Sequence, residues 1–507
     1  MWPLLVILLL LSVLYYKRSR EEFSLLPSPG ACLPLIGHYK IFTHGSDPAT
    51  LIWDLYRKYS SNGMMLLNVF GLNNVFVGDF DVLKQIYNDP NVQNRGHNDY
   101  RKCGMANKIS IDRGTNPGPL AGVIMSQGKA WTEQRRTALK VLRDFGFGKS
   151  TMEEMIQDEV KQFMTYLKQT SYTPIDIAGK FNLPILNALW KITVGESFEY
   201  SDPKLIEILE KLTELLQKFA KPTGVFAIVY PWLFKIFPNL FQRQLDIEVN
   251  QAIANLMHNS IEQHKKTLDV NSPRDVIDTM LIEIQNTTDK ESSFYQDVGY
   301  NHLVNTLIDL FIAGSETTST TLTWAVLYMV REPDIQRKVQ TELDTVVGGS
   351  RLPSLADRPN LPYTEAVLME IQRCANIVPN GVHHMSNKPV HVNGMIIPAN
   401  TMISPCFTEI LKGDYWGDGM VFRPERFLDE SGAVKFDEHF IPFSIGKRRC
   451  LGETLAKAEL FLFFASIVQQ FHLQPEISGK LPTEDCITGI TVLPKPFKVI
   501  CKPRSLT

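Results

Sequence analysis

Cys450 is the residue around which chemistry can be built. It lies in Phe443-Ser-Ile-Gly446-Lys-Arg448-Arg-Cys450-Leu-Gly452, a glycine-bracketed stretch that runs into an apolar segment from Leu455 to Val468. A turn that opens a helix favours a thiolate, because backbone N–H groups and the positive end of the helix dipole face it. Gly446 and Gly452 carry no Cβ and let the backbone approach something large and flat. Arg448 can neutralise an acid on that object. Taken alone, a cysteine at such a junction is more often a buried core residue.

Four other groups can take part. Trp131 and Arg135 stand four apart in a helical pattern from Lys129 to Leu142. Their indole N–H and guanidinium share a face, and both suit a carboxylate. A solvated basic helix with a buried tryptophan explains them equally well. In Asp309-Leu-Phe-Ile-Ala313-Gly314-Ser-Glu316-Thr317-Thr318, small and polar residues interrupt an apolar helix marked by Leu303, Leu307 and Phe311. A mid-helix glycine costs about 1 kcal/mol against alanine. Gly314 therefore asks for a reason, either room for a small ligand or a packing notch. Thr317 can bond back to a carbonyl, and with Glu316 it could pass protons. Glu370 and Arg373 are neighbours on a helix opened by Pro362, with Arg426 supplying a third charge downstream. An exposed pair of this kind is worth less than about 1 kcal/mol. His383 and His384 are adjacent, so on a strand they point to opposite faces and make a poor metal-ligand pair.

The elements that must position these groups follow from the rest of the chain. Its 507 residues are 44% hydrophobic and 21% charged, as in an ordinary globular protein. A net charge of -2 argues against general nucleic-acid binding. The seven cysteines are scattered without a CxxC pair, which excludes a zinc site or disulfide framework and suits a reducing environment. Met1 to Tyr16 is apolar and uncharged, with Lys17, Arg18 and Arg20 after it. This reads as an uncleaved signal-anchor over residues 1–20 that keeps the body in the cytosol, leaving the Asn286 sequon unused. A proline-punctuated hinge covers 21–37, and 38–507 reads as one catalytic domain. A helix is expected from Asp47 to Tyr59, and two strands within 65–78 joined at Asn73-Asn74. Residues 94–127 are irregular, and 150–285 are helical apart from an aromatic interruption at 221–241. That interruption suits a membrane contact, a pocket roof or buried core alike.

The cysteine stretch resembles the signature loop of the cytochrome P450 family at every defining position. Ala313-Gly-Ser-Glu-Thr-Thr318 is similar to that family's oxygen-activation motif, and Glu370-Ile-Gln-Arg373 stands between the two in family order. The resemblance implies a mainly α fold with a small β region, preceded by a membrane anchor helix. It implies haem b with Cys450 as axial thiolate, near Ala313, Gly314, Phe443, Gly446 and Gly452. Propionate contacts would come from Trp131, Arg135 and Arg448, and from Arg95 and His384. His383 departs from the proline common at its position in microsomal members. Glu316 and Thr317 would deliver protons, Glu370, Arg373 and Arg426 would brace the loop, and residues 378–382 would line the substrate pocket. The chemistry implied is insertion of one oxygen atom from O2 into an apolar small molecule. NADPH would supply electrons through NADPH-cytochrome P450 reductase, with cytochrome b5 as a further donor. The reductase would dock near Lys140, Arg143, Lys447 and Arg449. The expected location is the endoplasmic reticulum membrane, and no nucleic-acid partner is expected. Leu142-Arg-Asp-Phe-Gly-Phe-Gly148 is similar to arthropod members. Within the enzyme reading, a hormone-pathway enzyme acting on sesquiterpenoid or ecdysteroid precursors competes with a broad detoxifying one, and pocket residues do not decide between them. Broad xenobiotic detoxification and a non-catalytic haem sensor are the alternatives, and the Glu316-Thr317 pair favours an enzyme over a sensor.

Overall fold

The computed structural model describes residues 21–30, 32–33, 36–38, 47–96, 120–219, 236–237, 239 and 243–505. The expected anchor at 1–20, the middle of the irregular stretch (97–119) and most of the aromatic interruption lie outside these residues. Among the described residues no helix is long and apolar enough to cross a membrane.

The fold is mainly helical. In chain order the first helices are α1 (Pro48–Tyr59), α2 (Phe80–Asn88), α3 (Gly128–Asp144), α4 (Ser150–Gln169), α5 (Asn182–Val194), α6 (Pro203–Phe219) and α7 (Arg243–Thr267). They are followed by α8 (Val276–Asn286), α9 (Gln296–Arg331), α10 (Pro333–Val346), α11 (Pro362–Ala375), α12 (Phe407–Lys412) and α13 (Glu453–Gln470). Local chemistry sets several boundaries. Asp47 caps α1 by accepting from the N–H groups of Ala49 and Thr50, with Pro48 in the first turn. Pro362 opens α11, and Asn376 closes it in the left-handed region.

The principal sheet has six strands. They are β1 (Cys32–Leu33), β2 (Gly37–His38), β3 (Met64–Val69), β4 (Leu72–Val77), β5 (Met402–Pro405) and β6 (His384–Met385), numbered here across the sheet. Among the described residues, only the β4–β5 pairing of this sheet is parallel. The β3–β4 hairpin turns at Phe70-Gly71, not at Asn73-Asn74 as expected. A two-residue hairpin turn of this hand needs positive φ at both central residues, and Phe70 and Gly71 supply φ of 52° and 88°. Asn73 lies inside β4, where it accepts a hydrogen bond from Asn68 across the strands.

α9 is 36 residues long and buried on nearly every side through its second half. A helix that is apolar all round belongs in an interior. α9 packs against α5, α7, α8, α11 and α13 and forms the spine of the larger apolar core. A second apolar core lies between the sheet and α2. The Cys450 loop bridges the two cores. Ile441 and Ile445 pack in the sheet-side core, while Leu455 and Ala458 at the start of α13 pack in the helical one.

Candidate active site

The loop is closed by its own backbone. The Cys450 N–H donates to the Phe443 carbonyl at 2.9 Å, and the Arg449 N–H donates to that of Gly446 at 3.2 Å. Gly446 has φ of +76°, and a Cβ there would meet the Tyr87 carbonyl oxygen at 2.8 Å. Its glycine is therefore required by the turn and by Tyr87, a different reason from approach to a flat group. Nothing lies within 4 Å of a Cβ built on Gly452. Cys450 has solvent-accessible surface although protein surrounds it on most sides. Burial raises its pKa, and the opposing pull of the Gly452 and Glu453 N–H groups and Arg135 is smaller. The free side chain is thus a thiol rather than the thiolate that the helix dipole alone would favour. A metal ion at Sγ reverses that balance.

α9 meets the segment at Phe443 across a small cleft. Ala313 is exposed in the middle of this otherwise buried helix. One turn later the Thr317 hydroxyl donates to the Ala313 carbonyl at 2.8 Å. Thr317 and Phe443 line the same small cleft, about 50 Å³ in volume. Gly314 does not open this space. A Cβ on it would collide with Leu189 of α5, so it is a packing notch between two helices. Nor does Glu316 share the face of Thr317. It is 2% exposed and lines a separate cleft behind α9, where its Oε2 accepts from the Thr213 hydroxyl at 2.9 Å. Burial raises its pKa. Adjacent helical residues are about 100° apart around the axis, which is what turns the two away from each other.

A basic cluster lies beside the Cys450 loop. Arg448 donates to the carbonyls of Gln93 (2.9 Å) and Ser126 (2.6 Å), and its guanidinium lies over the Trp131 ring at 3.9 Å. Arg95 donates to the carbonyls of Ile124, Val382 and His383. Arg135 donates to the Arg449 carbonyl at 2.6 Å. Among the described residues, no carboxylate is among the charged groups acting on these arginines. Burial and mutual repulsion push Arg448 down to about 8 and Arg95 to about 10. The Trp131 indole N–H is buried without a hydrogen-bond partner. His384 stacks on Tyr87 at 3.8 Å with its Nδ1 bonded to the Val92 carbonyl, and burial beside Arg95 keeps it neutral. His383 instead bonds the Arg95 carbonyl through Nε2. The two histidines are thus separated, as their adjacency on an extended chain requires.

Glu370 and Arg373 have fully buried side chains, joined by Arg373 Nε and Nη2 at 2.7 and 2.8 Å. Arg426 adds contacts at 3.1 and 3.2 Å, and the Arg423 N–H donates to the same carboxylate at 2.7 Å. Arg373 also donates to the carbonyls of Leu411 and Gly419, tying α11 to the segment that precedes the loop.

Two acids went without a role in the sequence reading. Asp309 Oδ2 accepts the N–H groups of Val123 (2.7 Å) and Ile124 (2.9 Å), and burial raises its pKa to about 7. The Ile124 carbonyl in turn accepts from Arg95 and Arg448. Asp309 therefore fixes the peptide on which the basic cluster hangs. Its signal was a carboxylate one helical turn before Ala313, on the same face. Glu459 is buried in α13 beside the Thr318 hydroxyl, with a pKa well above the ordinary range. Its signal was an acid inside an apolar run.

An accessible thiol, guanidinium groups without a counter-acid among the described residues and a buried indole N–H without a partner among them fit an iron porphyrin. The thiol suits the metal, and the donors suit the porphyrin's two carboxylates. The fold and site thus define a thiolate-ligated haem protein. The chain matches the family model for Cytochrome P450 over residues 27–501. It is 38% identical over 385 residues to Cytochrome P450 2J5 of Mus musculus, covering 76% of this chain and 75% of that one. It is 39% identical to Cytochrome P450 2J2 of Homo sapiens with the same coverage, and 34% identical over 501 residues to Cytochrome P450 2J1 of Oryctolagus cuniculus, covering 97% and 94%. The chain belongs to the cytochrome P450 family, and it is a monooxygenase that uses haem b with electrons from NADPH through a reductase. These relatives are mammalian and give no support to the arthropod likeness of residues 142–148.

Proposed function

We propose that the enzyme hydroxylates or epoxidises a broad range of apolar small molecules at the endoplasmic reticulum membrane. The observation that carries this is the accessible Cys450 thiol beside Arg135 and its cluster of buried arginines, on a loop whose Phe443 shares a small cleft with Thr317 of α9. The relatives give no support to sesquiterpenoid or ecdysteroid substrates.

In this reading Cys450 ligates the iron, and Trp131, Arg135, Arg448 and Arg95 hold the haem carboxylates, with His384 beside them. Bound haem supplies dioxygen activation. Thr317 holds a proton donor at the haem-facing wall, and Glu316 delivers protons from the cleft behind α9. Residues 1–20 anchor the chain and 21–37 form a hinge. The body from 38 to 507 is one catalytic domain in the cytosol. Exposed Leu25, Leu33 and Ile36 support contact with a membrane surface near the hinge. Exposed Lys140, Arg143, Lys447 and Arg449 support docking of an acidic reductase domain or of cytochrome b5. Arg135 ties α3 to the loop through the Arg449 carbonyl.

The test is the spectrum of the reduced, CO-bound protein. A red-shifted Soret band that is lost in Cys450→His is the expected result. Folded, haem-loaded wild type without that band would overturn the ligand assignment.

A further inference from the structure

Glu459 is an acid inside the apolar run that α13 carries away from the Cys450 loop. It is 2% exposed, and its neighbours Leu460 and Phe461 belong to the helical core. Burial keeps its carboxyl neutral, and among the described residues no charged group acts on it. The polar side chain that faces it is Thr318 of α9. A neutral carboxyl and a hydroxyl each offer a donor and an acceptor, so the two can pair without any charge. An apolar side chain of similar size would fill the same place without the cost of burying a polar group. The acid therefore asks for a use.

Its place supplies one. Gly314 and Thr318 are one turn apart on one face of α9. Leu189 of α5 presses on Gly314, and Glu459 of α13 faces Thr318, so this face is met at two successive turns. Thr317 is the next residue around the axis, about 100° away. A helix held along one face cannot turn about its axis, and that fixes where the Thr317 hydroxyl points. Thr317 and Thr321 donate back to the α9 carbonyls of Ala313 and Thr317, while the Thr318 hydroxyl faces α13. Ala456 and Leu460, on either side of Glu459 in α13, line the small cleft that Thr317, Thr318 and Phe443 share.

We propose that Glu459 is a positioning residue, which holds Thr318 by a hydrogen bond across the α9–α13 contact and so sets the Thr317 turn against the Cys450 loop. Its effect on turnover rests on the proton role proposed for Thr317, while the positioning itself does not.

The test uses the full-length, haem-loaded chain and its Glu459→Gln, Glu459→Leu, Thr318→Val and combined Glu459→Leu/Thr318→Val variants. Hydrogen–deuterium exchange of a peptide spanning 313–321 reads the positioning, and product formed per NADPH consumed reads turnover. Glu459→Leu and Thr318→Val should each speed exchange at least threefold and lower the product ratio at least twofold. Glu459→Gln keeps a neutral hydrogen-bonding group and should match wild type. The combined variant should exchange no faster than either single one, because both remove the same contact. Unchanged haem content and CO-bound spectrum show that each variant is folded. Thr318→Val keeps the branched shape and leaves α13 untouched, so it decides the question even where leucine at 459 costs folding. Wild-type exchange in Thr318→Val, glutamine behaving as leucine does, or additive effects in the combined variant would each overturn the proposal. Thr317→Ala, measured alongside, separates the two readings: an unchanged product ratio there removes the turnover effect and leaves exchange to decide the positioning.

Discussion

Replacing Asp309 by Asn should make the protein more stable above pH 7 and leave it little changed near pH 4. The side chain accepts two backbone N–H groups, yet burial outweighs them and lifts its pKa from 3.8 to about 7. Between these values the unfolded chain has released a proton that the fold retains, so stability falls as pH rises through the window and levels off above it. Three pH units correspond to about 4 kcal/mol at about 1.4 kcal/mol each. The side chain keeps some accessible surface, which screens it, and about 2 kcal/mol is the better expectation. An asparagine oxygen can accept the same two N–H groups without ionising. For a chain of this size the unfolding entropy is about 1 kcal/mol/K, so the gain is about 2 °C in midpoint. Thermal unfolding of both haem-loaded proteins by circular dichroism at one scan rate, from pH 4 to 8.5, reads it. A difference that stays flat across that range, or an asparagine variant less stable at pH 8, would refute the reasoning.

Two further outcomes follow from the site. Thr317→Ala removes the hydroxyl that bonds the Ala313 carbonyl, and it should keep haem while diverting NADPH oxidation away from product. An unchanged ratio of product to NADPH consumed would remove Thr317 from its role. Glu370→Ala leaves the fully buried Arg373 without its carboxylate, at a cost of about 3–5 kcal/mol. Haem-loaded soluble protein should then be largely lost, and a normal yield with unshifted thermal unfolding would contradict a bracing role.

The motifs in the sequence named the right segments, but local pattern says little about which way a side chain is turned. Helix α9 was readable from Leu303, Leu307 and Phe311, and α11 from Pro362, because periodicity and caps are local. The hairpin turn was misplaced because Asn-Asn is common turn chemistry, while Phe70, a bulky residue, accepts a positive φ that no propensity anticipates. Gly314 was correctly singled out, but its cause is Leu189, 125 positions away in the chain. Glu316 and Thr317 were read as a pair because they are adjacent, and helical geometry puts them on different clefts.

That division changes how α9 should be understood. The helix is a partition whose two faces carry different chemistry. One face presents Ala313 and Thr317 to the thiol side. The other presents Glu316 to a cleft large enough for a small molecule and closed at its inner end by Thr213. Gly314 presses the same stretch onto α5, so the partition cannot shift toward Leu189 without a collision. In the proton-delivery role proposed above, a proton taken up by Glu316 has to travel around the helix to reach Thr317. The Thr317–Ala313 hydrogen bond marks where its backbone has a side-chain hydroxyl within reach. Coupling between the two clefts is then a property of one helical turn, from Ala313 to Thr317, and substitutions confined to that turn are the ones that should change it.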